Sequence, residues 1–71
     1  MTPAVVSVGE QFPLEQARVR EVLSHYHALG DVGRLGAWMI EQILQRADRA
    51  AVANDVVEMI RSYKEMQEVS E

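Results

Sequence analysis

The chain contains no cysteine and is poor in basic residues. The lack of cysteine excludes disulfide bonds, thiolate zinc sites and cysteine nucleophiles together. Seven Lys and Arg face eleven Asp and Glu, which gives a net charge of −4. Proteins that bind nucleic acids usually present a basic stripe, so the charge argues against nucleic acid as a direct partner.

A long apolar run is also missing. No stretch approaches the ~20 residues that span a bilayer. Residues 1–7 lack both the basic start and the long apolar stretch of a signal peptide. We therefore expect a cytoplasmic protein that does not bind membranes.

With only 71 residues, the chain forms one domain at most. A domain of this size buries only roughly 60% of the surface that its unfolded chain exposes, so its hydrophobic core is small. Small folds usually compensate through disulfides, metals, oligomerisation or close helix packing. Because disulfides are excluded, we expect self-association, and a homodimer is its commonest form.

The first helix is predicted over residues 13–29. Pro13 suits the first turn of a helix, where its missing N–H costs nothing, and apolar residues recur at helical spacing after it. Gly30 is predicted to end this helix, because glycine readily adopts a positive φ. The preceding residues 1–12 are rich in valine and show no helical period, so we predict an extended N-terminal arm.

Two further helices are predicted over residues 34–53 and 55–68. Asp55 is predicted to cap the third helix by accepting from the backbone N–H near Glu58, with the Glu58 side chain reaching back. The second helix has a broad apolar arc made of Gly36, Ala37, Met39, Ile40, Ile43, Leu44, Ala47, Ala50 and Ala51. The third has a stripe made of Val56, Met59, Ile60, Tyr63 and Met66. The fold class is therefore all-α, with residues 13–71 forming a single helical domain, a small three-helix bundle.

Three glycines in the segment HALGDVGRLGAW, residues 27–38, invite comparison with a phosphate-binding loop. Their spacing is GxxGxxG rather than GxGxxG, and they follow a helix, whereas a dinucleotide-binding loop follows a strand. We interpret Gly30 as a helix end and Gly33 as part of the turn. Gly36 is expected to allow an aromatic ring or a helix to approach closely.

Few residues are candidates for metal binding or catalysis. His25 and His27 are two residues apart and diverge on a helix, whereas a helical zinc pair needs a spacing of three or four. Glu21 and His25 have that spacing, but they would need further ligands, so a surface hydrogen bond is the preferred interpretation. We predict no catalytic, metal or cofactor residues, no small-molecule substrate and no enzymatic activity.

Apolar residues on the polar half of the second helix are more informative. Leu35, Trp38 and Val52 lie there on a helical wheel, which points the only tryptophan away from the core. In one interpretation the N-terminal arm folds over Leu35 and Trp38. In another they anchor a protein interface, and an arm exchanged between subunits would combine the two. The predicted contact residues are Trp38, Leu35, Val6, Val8 and Phe12.

The segments ARVREVLSHY, GAWMIEQILQRAD and NDVVEMIRSYKEMQE resemble small uncharacterised proteins encoded by phages and prophages of proteobacteria. The resemblance covers residues 13–68 and includes no catalytic motif. It implies a helical protein of the host cytoplasm without an assigned enzymatic activity, which binds and modulates a host protein.

We therefore expect a non-catalytic protein–protein interaction module that forms a homodimer. The resemblance implies that a phage encodes it. Its partner is another protein, a second copy of itself, or both. One alternative is a phage inhibitor of a host defence complex that resembles an anti-CRISPR protein and places carboxylates where phosphates would bind on a basic surface. A second alternative is a purely structural homo-oligomer.

Overall fold

The computed structural model describes residues 3–70, with side chains described from Gly9 onward. This part of the chain contains three α-helices and no strand, as the sequence predicts. The helices are α1 at Pro3–Ala28, α2 at Arg34–Ala53 and α3 at Val56–Gln67, and a 3₁₀ turn at Gly30–Gly33 joins the first two. Each helix contacts both of the others, so they form a small three-helix bundle.

The core lies along the common axis of the three helices. The inner face of α2 places the large Ile40 and Leu44 in its middle with small alanines on either side, and among these Ala47 is completely buried. This arrangement lets neighbouring helices approach closely and interdigitate. The buried cluster comprises Phe12, Val19, Val22, Ile40, Leu44, Ala47, Met66 and Val69.

Local backbone chemistry sets the ends of the helices. Gly30 follows α1 with φ of 65°, and Asn54 ends α2 with φ of 54°, a left-handed conformation that asparagine tolerates better than most residues. The Asp55 carboxylate accepts from the backbone N–H of Glu58 at 3.2 Å, which confirms the predicted cap of α3. The predicted return contact of Glu58 is wrong, because the Asp55 N–H donates to the Ala50 carbonyl at 3.0 Å and the Glu58 carboxylate accepts from Arg61 instead.

The predicted start of α1 at residue 13 and the predicted extended arm over residues 1–12 are wrong for the described residues. The helix already begins at Pro3, and Pro13 lies inside it. Proline inside a helix removes one backbone hydrogen bond and crowds the carbonyl four residues earlier, here that of Gly9. Phe12, 1% exposed, offsets this cost by burying its ring in the core.

Polar contacts on the rim of the core fasten the helices to one another. Asp48 of α2 accepts from two side chains of α1, Gln16 at 2.7 Å and Arg20 at 2.6 Å. On the other side of α2, Arg46 donates twice to the Glu65 carboxylate of α3, at 3.2 and 2.8 Å. These contacts fix how α2 is rotated against its neighbours.

Arg18 connects α1 to the end of α3. Its guanidinium donates to the backbone carbonyls of Met66 at 2.7 Å and Val69 at 2.9 Å. It also pairs with Glu15, and the hydrogen bond with that carboxylate raises the pKa of Arg18, opposed by partial desolvation. A cation at the carboxyl end of a helix satisfies carbonyls that have no partner within the helix.

Candidate protein-binding surface

Three large apolar side chains are exposed next to each other near the start of α2. Leu35 is 71% exposed, Trp38 58% and Met39 54%. Leu35 and Trp38 are three residues apart and so lie on one face of the helix, and Met39 borders it. We call these three residues the Trp38 surface. A single exposed apolar residue is not unusual, but a contiguous group that includes tryptophan is typical of an interface.

The position of this part of α2 depends on Tyr26 and Gly36. The Tyr26 ring lies so close to Gly36 that an added Cβ there would be 2.5 Å from ring atom Cε2. The hydroxyl of Tyr26 donates to the Ser70 carbonyl at 3.0 Å, which holds the ring in place. The predicted close approach of an aromatic ring to Gly36 is confirmed, and Gly33 likewise has its backbone against the Tyr26 carbonyl.

Trp38 separates two depressions of different character. The first has a volume of about 490 Å³, and its lining includes His27, Asp31, Arg34 and Glu41. The second has a volume of about 370 Å³, and Trp38 shares its lining with Met39, Gln42, Ile43, Arg46 and Glu65. The lining of the second depression thus combines apolar side chains with polar and charged ones, as protein-binding surfaces do.

The charged groups around Trp38 are arranged in pairs. His27 Nε2 lies 3.8 Å from Glu41 Oε2, and Arg34 lies 3.7 Å from the Asp31 carboxylate. These side chains are about half exposed or more, so the pairs are screened by water and contribute little to stability. The described residues include no group of three or more His, Cys, Asp or Glu placed to hold a metal ion.

The other candidate pair for chemistry, Glu21 and His25, lies on the exposed outer face of α1. Both side chains are exposed, and the nearby Ser24 hydroxyl donates to the Glu21 backbone carbonyl at 2.6 Å. Among the described residues, no further His, Cys, Asp or Glu joins this pair in an arrangement that could hold a metal ion.

The predicted contact residues fall into three groups. Leu35 and Trp38 are exposed side by side, and their role in binding stays a prediction. Phe12 is wrong as a contact residue, because it lies on the inner face of α1 and is 1% exposed in the core. Val6 and Val8 lie outside the residues whose side chains are described.

Sequence reasoning missed part of the exposed apolar surface. Met39 is at the edge of the arc predicted for the core, where α3 does not fully cover it. On α3, Val56 and Ile60 are exposed although they belong to the predicted stripe, because the inner face of α3 is centred on Ser62 and Met66 instead. The small Ser62, 3% exposed, permits close approach there, a signal that an apolar count overlooks.

Comparison of the chain with protein-family models, with curated proteins and with solved structures finds no match. None of the helices in the described part of the chain has the combined length and apolar character that a bilayer crossing requires.

Proposed function

We propose that this protein is a non-catalytic protein-binding module and that the Trp38 surface is its main contact. The observation that carries the proposal is the 58% exposure of the only tryptophan, beside Leu35 at 71% and Met39 at 54%. Tryptophan is the residue type most enriched among those that dominate binding energy at interfaces. Its burial by a partner would remove a large apolar area from water.

The rigid support behind the surface favours the same function. Ala37 and Ile40, on the opposite face of this helical segment, are 4% and 6% exposed in the core. A contact residue on a well-packed helix loses little conformational freedom on binding, so more of its interaction energy appears as affinity.

The alternative role, an inhibitor that occludes a basic surface with carboxylates, has less support. Glu15, Glu58 and Glu65 each pair with an arginine, at 2.8 Å, 3.2 Å and 2.8 Å. A carboxylate that already accepts from a guanidinium is a poor substitute for a phosphate on a basic partner. We therefore prefer the Trp38 surface to the carboxylates as the basis of the function.

Site-specific photocrosslinking in cells that express the protein tests the proposal. A photoreactive amino acid replaces Leu35, and a matched control carries it at Ala17, which is exposed on the outer face of α1. We expect covalent adducts with protein from position 35, several-fold more than from position 17. The adducts from position 35 should be lost when Trp38→Ala is added.

Equal adduct yields at the two positions would contradict the proposal, as would yields that Trp38→Ala leaves unchanged. The mass of the adduct separates a second copy of the chain from a different protein. Either partner agrees with the proposed function, because both use the same surface. Circular dichroism of each variant verifies that the bundle remains folded.

A further inference from the structure

The Trp38 surface is the beginning of a longer stripe on the outer face of α2. Six residues spaced alternately by three and four positions lie within an arc of about 100°, calculated at 100° per residue. Five are exposed and Gln42 is half-buried, so the core uses none of them fully. We call this set the outer stripe: Leu35, Trp38, Gln42, Gln45, Arg49 and Val52.

The spacing is that of the a and d positions of a coiled coil. Alternation of three and four residues is the seam along which one helix meets another over several turns. From Leu35 to Val52 the seam is about 25 Å long at 1.5 Å per residue. A partner helix laid along it would contact every member of the outer stripe.

Arg49 is the only charged member of the outer stripe, and it lacks an ion pair in the part of the chain that the structure describes. Within the described residues, the other five arginines each lie within 4.0 Å of a carboxylate, whereas Arg49 has no such ion pair. Its guanidinium therefore remains available for a contact outside the chain. A guanidinium over the face of a tryptophan is a favourable cation–π contact.

From these observations we infer that the outer stripe binds a second copy of the chain, with the two α2 helices antiparallel. The inference rests on the proposed function and names the partner of the same surface. In the register that uses all six residues, Leu35 faces Val52 of the second copy and Trp38 faces Arg49. Gln42 faces Gln45, and the two-fold axis repeats each layer.

Each layer of this register is chemically complementary. Leu35 and Val52 are both apolar, Trp38 and Arg49 form the cation–π contact, and the two glutamine amides offer both donors and acceptors. Polar layers between apolar ends favour one register of a helix pair, because a shift would place glutamine or arginine against an apolar side chain. A parallel arrangement would place Arg49 against its own copy, and two like charges there would repel.

The edge of the stripe is compatible with this arrangement. Glu41 and Asp48 lie along one edge and would approach the same residues of the second copy. Asp48 is paired with Arg20 at 2.6 Å, and Glu41 lies 3.8 Å from His27. Pairing of Asp48 with a cation of its own chain reduces repulsion between the two copies.

Light scattering over a dilution series is the first test, with Trp38 emission recorded on the same samples. We expect the mass to change from twice the chain mass of 8.0 kDa to that of the single chain on dilution. The emission should shift to the red over the same range, because Trp38 enters water. A single-chain mass at every concentration would overturn the inference, and so would dissociation without an emission shift.

Engineered cysteines then test the direction, and the absence of natural cysteine makes the readout clean. Leu35→Cys and Val52→Cys replace exposed side chains, so both variants should fold. An oxidised mixture of the two should give mainly the mixed disulfide, because only facing residues come within the short Cα distance that a disulfide permits. Self-linking of Leu35→Cys as readily as the mixed product would overturn the antiparallel register.

Substitutions of arginine test the layer that Trp38 and Arg49 form. Arg49→Gln removes two symmetry-related cation–π contacts and should weaken the dimer about five- to thirtyfold. The control Arg61→Gln, on the exposed surface of α3, should leave the dimer unchanged. Equal effects of the two would contradict the register. If the chain is monomeric but position 35 still crosslinks to another protein, this inference fails and the proposed function stands.

Discussion

The two faces of α2 have the same helical geometry and different chemistry. The inner face carries Ala37, Ile40, Leu44 and Ala47, each 6% exposed or less. The outer stripe begins with Leu35 and ends with Val52, both apolar, but its middle is polar and charged. Spacing alone therefore does not distinguish a face that packs in the core from a face that is exposed in the single chain.

The difference lies in the size and polarity of the side chains. The inner face consists of two large apolar side chains flanked by alanines, which suits permanent close packing. The outer stripe places two glutamines and an arginine between its apolar ends, and these groups remain well hydrated when the chain is alone. We therefore expect the inner face to determine stability and the outer face to determine association.

The largest difference in unfolding free energy should be between leucine-to-alanine substitutions on the two faces. Leu44→Ala leaves a cavity in the core and should lower the free energy of unfolding by about 2–5 kcal/mol. Leu35→Ala should change it by less than about 0.5 kcal/mol, because Leu35 is 71% exposed in the single chain. Urea unfolding of dilute protein, followed by circular dichroism, measures both. Similar losses would contradict the division between the faces.

A second, smaller effect concerns the boundary between the faces at Gly36. Gly36→Ala should lower the free energy of unfolding by about 1–2 kcal/mol, because the new methyl group meets the Tyr26 ring. Gly9→Ala is the matched control on α1, where an added Cβ meets nothing within 4 Å. It should raise stability by about 0.5–1 kcal/mol through helix propensity. Stabilisation by both substitutions in thermal or urea unfolding would contradict the close approach of Tyr26.

The turn that brings α3 onto the inner face of α2 should contribute to the free energy of unfolding about as much as one helix cap does. Asp55→Ala removes the acceptor for the Glu58 N–H and should cost about 1 kcal/mol of unfolding free energy. Asp31→Ala, which removes a carboxylate that is 97% exposed, should cost less than about 0.5 kcal/mol. Comparison of the two urea midpoints measures the difference, and equal midpoints would contradict the role of the cap.

The smallest effect should come from the ion pair at the edge of the inner face. Arg46 and Glu65 connect α2 to α3, but their side chains are 46% and 40% exposed. A double-mutant cycle with Arg46→Ala and Glu65→Ala should give a coupling of about 0.2–1 kcal/mol that decreases in high salt. A coupling that salt leaves unchanged would contradict an exposed pair.

The bounds of α2 and α3 could be predicted closely from the sequence because their ends carry local signals. Asn54 and Asp55 supply a left-handed residue and a cap within two positions, and the observed ends follow from them. The start of α1 could not be predicted in the same way. Pro13 predicts the first turn of a helix, but packing of Phe12 in the core outweighs the lost hydrogen bond. Phe12 precedes Val19 by seven residues on the same face of α1.

The exposed tryptophan could be predicted from the helical wheel, since Trp38 falls among polar residues. The rotation of α3 could not, because it depends on how closely Ser62 and Met66 allow the helices to approach. That rotation leaves Val56 and Ile60 exposed. A wheel identifies which side chains share a face, whereas packing across three helices decides which part of a broad face is covered.

The contacts of Arg18 with the Met66 and Val69 carbonyls have a consequence for synthesis of the protein. A ribosome makes α1 and α2 before it makes Met66 and Val69. Until then Arg18 lacks these carbonyls, and the side of α1 and α2 that Met66 covers in the folded bundle has nothing of α3 to pack against. The bundle therefore closes only after residues 66–69 have been made and the Val69 carbonyl reaches the first helix.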